Sequence, residues 1–326
     1  GHLARFGENI PDAHLKTIDA ICECRTGLRG HHVFWCPECG DSVLSDSSCG
    51  NRHCPVCQNG KASKWVYRQQ LNLLPCTYFM ATFTLPYELR GLAWRHQKTV
   101  YRLLLATAAS TLKDFGLNPK HLGGQIGMTA VLHTHSRRLE FHPHCHVIVP
   151  GGAVDPARNQ WRKPKGKYLF NGFALAKVFR ARFLEALTAE GLSCAKTAAK
   201  RWVVHCKHIG KGRPALQYLS RYLYRGVIGE DHIVADRDGQ VTFRYTDATT
   251  GQTRHRTLPG EDFLWPALQH VLPKGFRRVR DYGFLHGNAK RLLRRVQLAL
   301  RVIIEAKPLR ARPAVQVRDA QPPAHP

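Results

Sequence analysis

Acidic residues are scarce in this chain: 23 Asp and Glu stand against 49 Lys and Arg, a formal net charge of +26 over 326 residues. Such an excess repels itself unless a polyanion binds it, which points to nucleic acid as the partner. No apolar run approaches the roughly 20 residues of a spanning helix and no signal peptide is visible, so no membrane association is expected. No G-x-x-x-x-G-K-[ST] loop occurs, so no nucleotide cofactor is expected either. A disulfide framework is excluded in the same way. The 11 cysteines are odd in number, and seven of them crowd between Cys22 and Cys57, which suits metal binding in a reducing compartment. The expected location is the cytoplasm, with nucleoid association when the protein acts.

Three regions follow along the chain. Residues 1–68 hold a Cys/His cluster. Residues 69–250 alternate strand-like and helix-like stretches. Residues 251–326 are basic and read as mostly helical, ending in a Pro-rich, disordered tail. In the middle region, TYFMATFTL (77–85), GMTAVLHTH (127–135), FHPHCHVIV (141–149), WVVHCKH (202–208) and residues 241–245 read as strands. Residues 94–112, 173–187 and 214–225 read as helices, and the short polar link 136–140 predicts an antiparallel hairpin. The absence of a strict βαβ repeat implies an α+β layer with a mostly antiparallel sheet.

In the first region the ligand string is Cys24, His32, Cys36, Cys39, Cys49, His53, Cys54 and Cys57. Two C-x2-C knuckles, CPEC and CPVC, each present two thiolates, and together they complete a tetrahedral four-thiolate zinc site. Cys24, His32, Cys49 and His53 are then left for a second, interleaved zinc. The other partition joins Cys36, Cys39, Cys49 and His53. No water-activating Glu accompanies these ligands, so the zinc ions are expected to be structural.

The segment HPHCHVIV carries the chemistry. Residues two apart on a strand share a face, so His142, His144 and His146 line one side and Cys145, Val147 and Val149 the other. His133 precedes His144 by 11 residues and reaches the same face across a hairpin with an even loop. His135 would share that face nearer the turn, but His133 sits deeper. The expected ligands of a divalent ion are therefore His133, His144 and His146. Three imidazoles leave coordination positions open for substrate oxygen, with Mn²⁺ favoured over Mg²⁺ by ligand softness.

On the helix PALQYLSRYLYR, Leu216, Leu219 and Leu223 form one stripe. Tyr218 and Tyr222 lie opposite it as i, i+4 neighbours, with Arg221 and Arg225 beside them. Tyrosine is a weak nucleophile at its ordinary pKa of about 10, and a metal-polarised phosphate compensates for that. Further DNA contacts are expected from Lys207, Lys211, Arg213, Arg277, Arg278 and Arg280.

Taken together, the chain resembles the HUH rolling-circle transposases of the insertion sequence ninety-one family, whose pattern is a Cys/His zinc domain, an HxH hairpin and a YxxxY helix. The motifs that carry the resemblance are CRTGLRGHH, CPECG, SCGNRHCPVCQ, HPHCHVIVPGG and YLSRYLYR, with FTLP at 83–86 and HVLPKGFRRVRDYGFL at 270–285. The resemblance implies a five-stranded antiparallel HUH-endonuclease-like sheet and nicking and rejoining of single-stranded DNA at transposon ends. It further implies a 5′-phosphotyrosine intermediate, with Tyr218 attacking first and Tyr222 serving the second transfer. Plasmid relaxases and rolling-circle replication initiators use the same chemistry, and a catalytically inactive zinc-dependent DNA-binding regulator is the reading from another class. The zinc domain at the front favours the transposase.

Overall fold

The computed structural model describes residues 10–54, 56–57, 70, 72–155, 157–158, 160–192, 202–212, 227–247 and 250–300. Its centre is a five-stranded antiparallel sheet built from β3 (Thr77–Thr84), β4 (Gly127–His135), β5 (Phe141–Pro150), β8 (Val203–Lys211) and β12 (Val279–Gly283), in the order β12-β4-β5-β3-β8. One face of the sheet is apolar by the period-2 rule: Phe79, Ala81, Phe83, Ala130, Leu132, Cys145, Val147 and Val149 all point into one core. Helices α3 (Gln97–Leu117) and α4 (Gly172–Ala189) cover that face. They fill it with Val100, Leu104, Leu105, Ala108 and Leu112 from α3, and Leu175, Phe179, Phe183 and Leu187 from α4. Phe179 meets Phe83 edge to face, with ring centroids 4.9 Å apart. Helix α4 starts at Asn171, whose side chain accepts the Ala174 backbone N–H at 3.0 Å; such a cap contributes about 1 kcal/mol. The opposite face holds a smaller cluster of Tyr78, Val131 and Ile148, and beside it the histidines.

Around the sheet lie α1 (Asp12–Cys22), the hairpin β1 (His31–Trp35) and β2 (Ser42–Asp46), the short α2 (Arg90–Arg95), and the small pair β6 (Ala153–Asp155) and β7 (Gln160–Arg162). The expected strand at 241–245 is β10 (Gln240–Thr246), but it belongs to a separate three-stranded sheet with β9 (Ile233–Arg237) and β11 (Thr253–Pro259). Helix α5 (Gly260–Leu268) follows, and α6 (Lys290–Ala299) ends the described chain.

The division at residue 250 needs correcting. It falls between two strands that pair, β10 and β11, and the C-terminal region supplies β12, an edge of the central sheet. That region is knit into the sheet instead of following it as a helical appendage. Gly283 closes β12 at φ 60°, where a Cβ would stand 1.8 Å from the Ile126 carbonyl oxygen, so only glycine permits this approach to β4. At the other end of the chain, His14 of α1 is buried against Trp94 and Trp265. Among the described residues no helix is long and apolar enough to cross a membrane.

Candidate active site

The β4–β5 hairpin sets His133 directly opposite His144, while His146 faces Val131 on one side and Thr82 of β3 on the other. Strand alternation then puts all three imidazoles on the face away from α3 and α4. Ring centroids are 5.3 Å apart for His133 and His144, 4.6 Å for His133 and His146, and 4.9 Å for His144 and His146. One nitrogen from each lies within 4.8 Å of the other two. Burial holds His133 and His144 well below the usual imidazole pKa, and pushes His146 down to about 4. All three are neutral near pH 7, as a ligating nitrogen must be.

Their orientation is fixed from outside. The Nδ1–H of His144 donates to the His142 carbonyl at 2.6 Å, because a carbonyl can only accept. That leaves Nε2 with its lone pair for a metal. Nδ1 of His146 shares a 3.0 Å hydrogen bond with the Thr82 hydroxyl. Such outer partners orient metal-binding imidazoles. His142 itself is engaged elsewhere. Its Nδ1 accepts from Arg90 Nη2 at 2.5 Å, and its ring lies 5.1 Å from that of His144. Three neutral nitrogens in this arrangement fit one divalent ion of the first transition row.

The role of His270 was not legible in its sequence. It is buried, 3 % exposed, and burial pushes its pKa down to about 3. Nε2–H donates to the Leu139 carbonyl at 3.1 Å, so Nδ1 accepts from the Thr134 hydroxyl, also at 3.1 Å. One neutral imidazole thus ties β4 to the turn of the β4–β5 hairpin. Its ring lies 5.1 Å from that of His135, which stacks on His133 at 6.2 Å. The sequence signal was its place at the head of the 270–285 signature. His270→Ala strands two buried polar groups at about 1–3 kcal/mol each, so stability is expected to fall by about 2–6 kcal/mol. Urea unfolding checks this, and an unchanged midpoint would refute the brace.

The thiolates group differently from the expected knuckle pairing. Cys24, Cys49, Cys54 and Cys57 form the four-sulfur cluster, with Sγ separations of 3.4 Å (Cys24–Cys57), 3.7 Å (Cys49–Cys57) and 3.7 Å (Cys24–Cys54). A tetrahedral site with Zn–S near 2.3 Å has edges of about 3.8 Å, so the set fits zinc. The reason is the β1–β2 hairpin. Cys24 and Cys49 flank its root, where Arg25 N–H meets Ser47 O and Ser47 N–H meets Gly30 O. Cys36 and Cys39 lie in the turn between Trp35 and Ser42, about five residues or roughly 16 Å along the strands. His32 sits exposed on β1. His53 turns inward instead of toward the sulfurs: with Arg52 it lines a small cavity shared with Thr134, His135, His270 and Arg278.

Of the expected DNA contacts, Lys207 and Lys211 are exposed on β8, and Arg277, Arg278 and Arg280 lie on and just before β12. Tyr218, Tyr222, Arg213, Arg221 and Arg225 fall outside the described residues. The residues that flank them are described. Gly212 lies against Leu73 and Tyr78, on the histidine face, at the Thr77 end of β3. Val227 lines the small cavity with His135 and His270.

Two family models match the chain: transposase zinc-binding domain over residues 2–85, and "Putative transposase" over residues 127–292. A "Putative transposase" of Sinorhizobium fredii is 35 % identical over 317 residues, covering 88 % of this chain and 79 % of the relative. The transposase for insertion sequence element IS801 of Pseudomonas savastanoi pv. phaseolicola is 27 % identical over 304 residues, covering 87 % of this chain and 73 % of the relative. No solved structure matches.

Proposed function

We infer the function from the family: the chain belongs to the transposases of the insertion sequence ninety-one kind, with their zinc-binding domain at the front. Our reading of its chemistry is that it nicks and rejoins single-stranded DNA at transposon ends by tyrosine transesterification, in a rolling-circle manner. One observation carries this reading: the neutral imidazoles of His133, His144 and His146 stand together on one face of the central sheet, one nitrogen of each within 4.8 Å of the other two. Tyr218 and Tyr222 lie in sequence between Gly212 and Val227, outside the described residues.

His133, His144 and His146 would hold a divalent ion, which when bound would supply Lewis-acid polarisation of the scissile phosphate and offset the charge developing there. Tyr218 Oη bonds to phosphorus, the P–O3′ bond breaks, and the departing 3′ oxygen takes up a proton. The products are a 5′-phosphotyrosine and a free 3′-hydroxyl. Attack by another 3′-hydroxyl reverses the step and returns the proton to tyrosine, so bond energy is kept and no nucleotide is needed. Tyr222 serves the second transfer. Thr82 and the His142 carbonyl hold the imidazoles in register throughout.

The test is incubation with labelled single-stranded oligonucleotides carrying element ends, with Mn²⁺ or Mg²⁺. A covalent protein–DNA adduct is expected, lost in Tyr218→Phe with DNA binding retained. No adduct with either metal on any end sequence would overturn the reading.

A further inference from the structure

We propose that the zinc module forms one wall of the channel that leads a DNA single strand to the catalytic histidines. The proposal rests on the single-strand reading above and goes beyond it by naming the route and what holds the strand there.

Three stretches far apart in sequence converge on one cleft of about 980 Å³: α1, the zinc loop at 50–53, and the 271–278 segment of the C-terminal signature. Its charged lining is one-sided. Lys16 of α1, Arg52 of the zinc loop, and Lys274 and Arg278 of the signature face it, against one carboxylate, Asp12. The rest of the lining mixes apolar and aromatic surface, including Leu272, Pro273 and Phe276, with the polar Thr17, Asn51 and His53. Cations beside apolar and aromatic surface are what a backbone-tracking, base-accepting groove requires.

Arg52, His53, Leu272 and Arg278 border the cleft and also line an adjoining small cavity of about 20 Å³ that His135 lines too. His135 stacks on His133, a proposed ligand of the catalytic ion. Arg52 and Arg278 therefore stand between the cleft and His135, the neighbour of the histidine trio. The imidazoles are recessed, with His133 6 % and His146 9 % exposed.

The zinc cluster acquires a purpose from this arrangement. Cys49, Cys54 and Cys57 bracket Arg52 and His53 in sequence, so ligation of zinc fixes the loop that presents them. The module then contributes directly to strand placement as well as to its own folding.

Binding of a fluorescent oligothymidylate by the full chain, measured across a salt series, tests this. Each phosphate contact on a single strand adds about 0.7 to the slope of log affinity against log salt. Lys16→Ala, Arg52→Ala and Lys274→Ala combined are expected to lower that slope by about 2 and to weaken binding at least tenfold at low salt. Zinc content and Mn²⁺ binding by electron paramagnetic resonance are expected to stay at wild-type levels. A control removing three arginines from the separate three-stranded sheet, Arg237→Ala, Arg244→Ala and Arg254→Ala, is expected to leave the slope unchanged. An unchanged slope in the cleft variant, or an equal loss in the control, overturns the channel. Wild-type protein that binds the strand with the expected slope but forms no adduct overturns the transesterification reading and leaves the channel standing.

Discussion

His144→Ala combined with His146→Ala is expected to lower adduct formation at least about a thousandfold and to abolish Mn²⁺ binding at the hairpin. The two residues supply two of three neutral nitrogens in one group, and they share a strand. A single remaining imidazole, His133, does not hold a divalent ion against water. Lewis-acid help at a phosphoryl centre contributes several kcal/mol, and each 1.4 kcal/mol is tenfold in rate, which gives the thousandfold estimate. The fold is expected to survive, because the opposite face of β5 carries the core contacts through Cys145, Val147 and Val149. A thermal melt separates the two effects. Wild-type cleavage by a folded double variant would sink the metal assignment. Thr82→Val provides a graded companion: it removes only the hydroxyl beside His146 Nδ1 and is expected to weaken Mn²⁺ affinity about 10- to 100-fold.

Cys54→Ser is expected to cost the protein one zinc and the order of its zinc module, whereas Cys36→Ser with Cys39→Ser leaves that zinc in place. Cys54 is 1 % exposed and shares the four-sulfur cluster with Cys24, Cys49 and Cys57. Structural zinc supplies about 10–16 kcal/mol to small domains of this kind, far more than the exposed β1–β2 hairpin can recover from its own packing. The loss is expected to spread, since His53 next to Cys54 packs into the cavity behind the metal hairpin. Zinc content and limited proteolysis between residues 24 and 57 measure both parts. Full zinc in Cys54→Ser, with zinc lost from the double variant, would restore the knuckle pairing and refute the cluster.

The contrast between these two metal sets shows where sequence reading reaches its limit. The histidine trio was accessible because it depends on a short-range rule. Alternation along a strand places His144 and His146 together, and the β4–β5 hairpin, with a register shift between His133 and His135, brings His133 opposite His144. The zinc pairing depends on what lies between the cysteines. Ten residues of intervening hairpin carry Cys36 and Cys39 away from Cys54 and Cys57, and nothing in the C-x2-C spacing records that displacement. Strand β12 failed to announce itself for a related reason. Its residues, VRDYG, are polar and charged, and they form a strand because β4 offers an open edge and Thr129 donates a hydrogen bond to Asp281 at 2.5 Å.

The charge excess, the metal-binding character of the front region, the histidine face and the transposase kinship were all determined by the sequence itself, through composition, period-2 alternation and motif order. Tertiary structure alone decided which sulfurs meet, which strand completes the sheet, that His270 braces the hairpin, and that Arg52 and Arg278 stand together before His135. Those are contacts between segments tens to hundreds of residues apart. They are set by packing and by hairpin length, which no local pattern encodes.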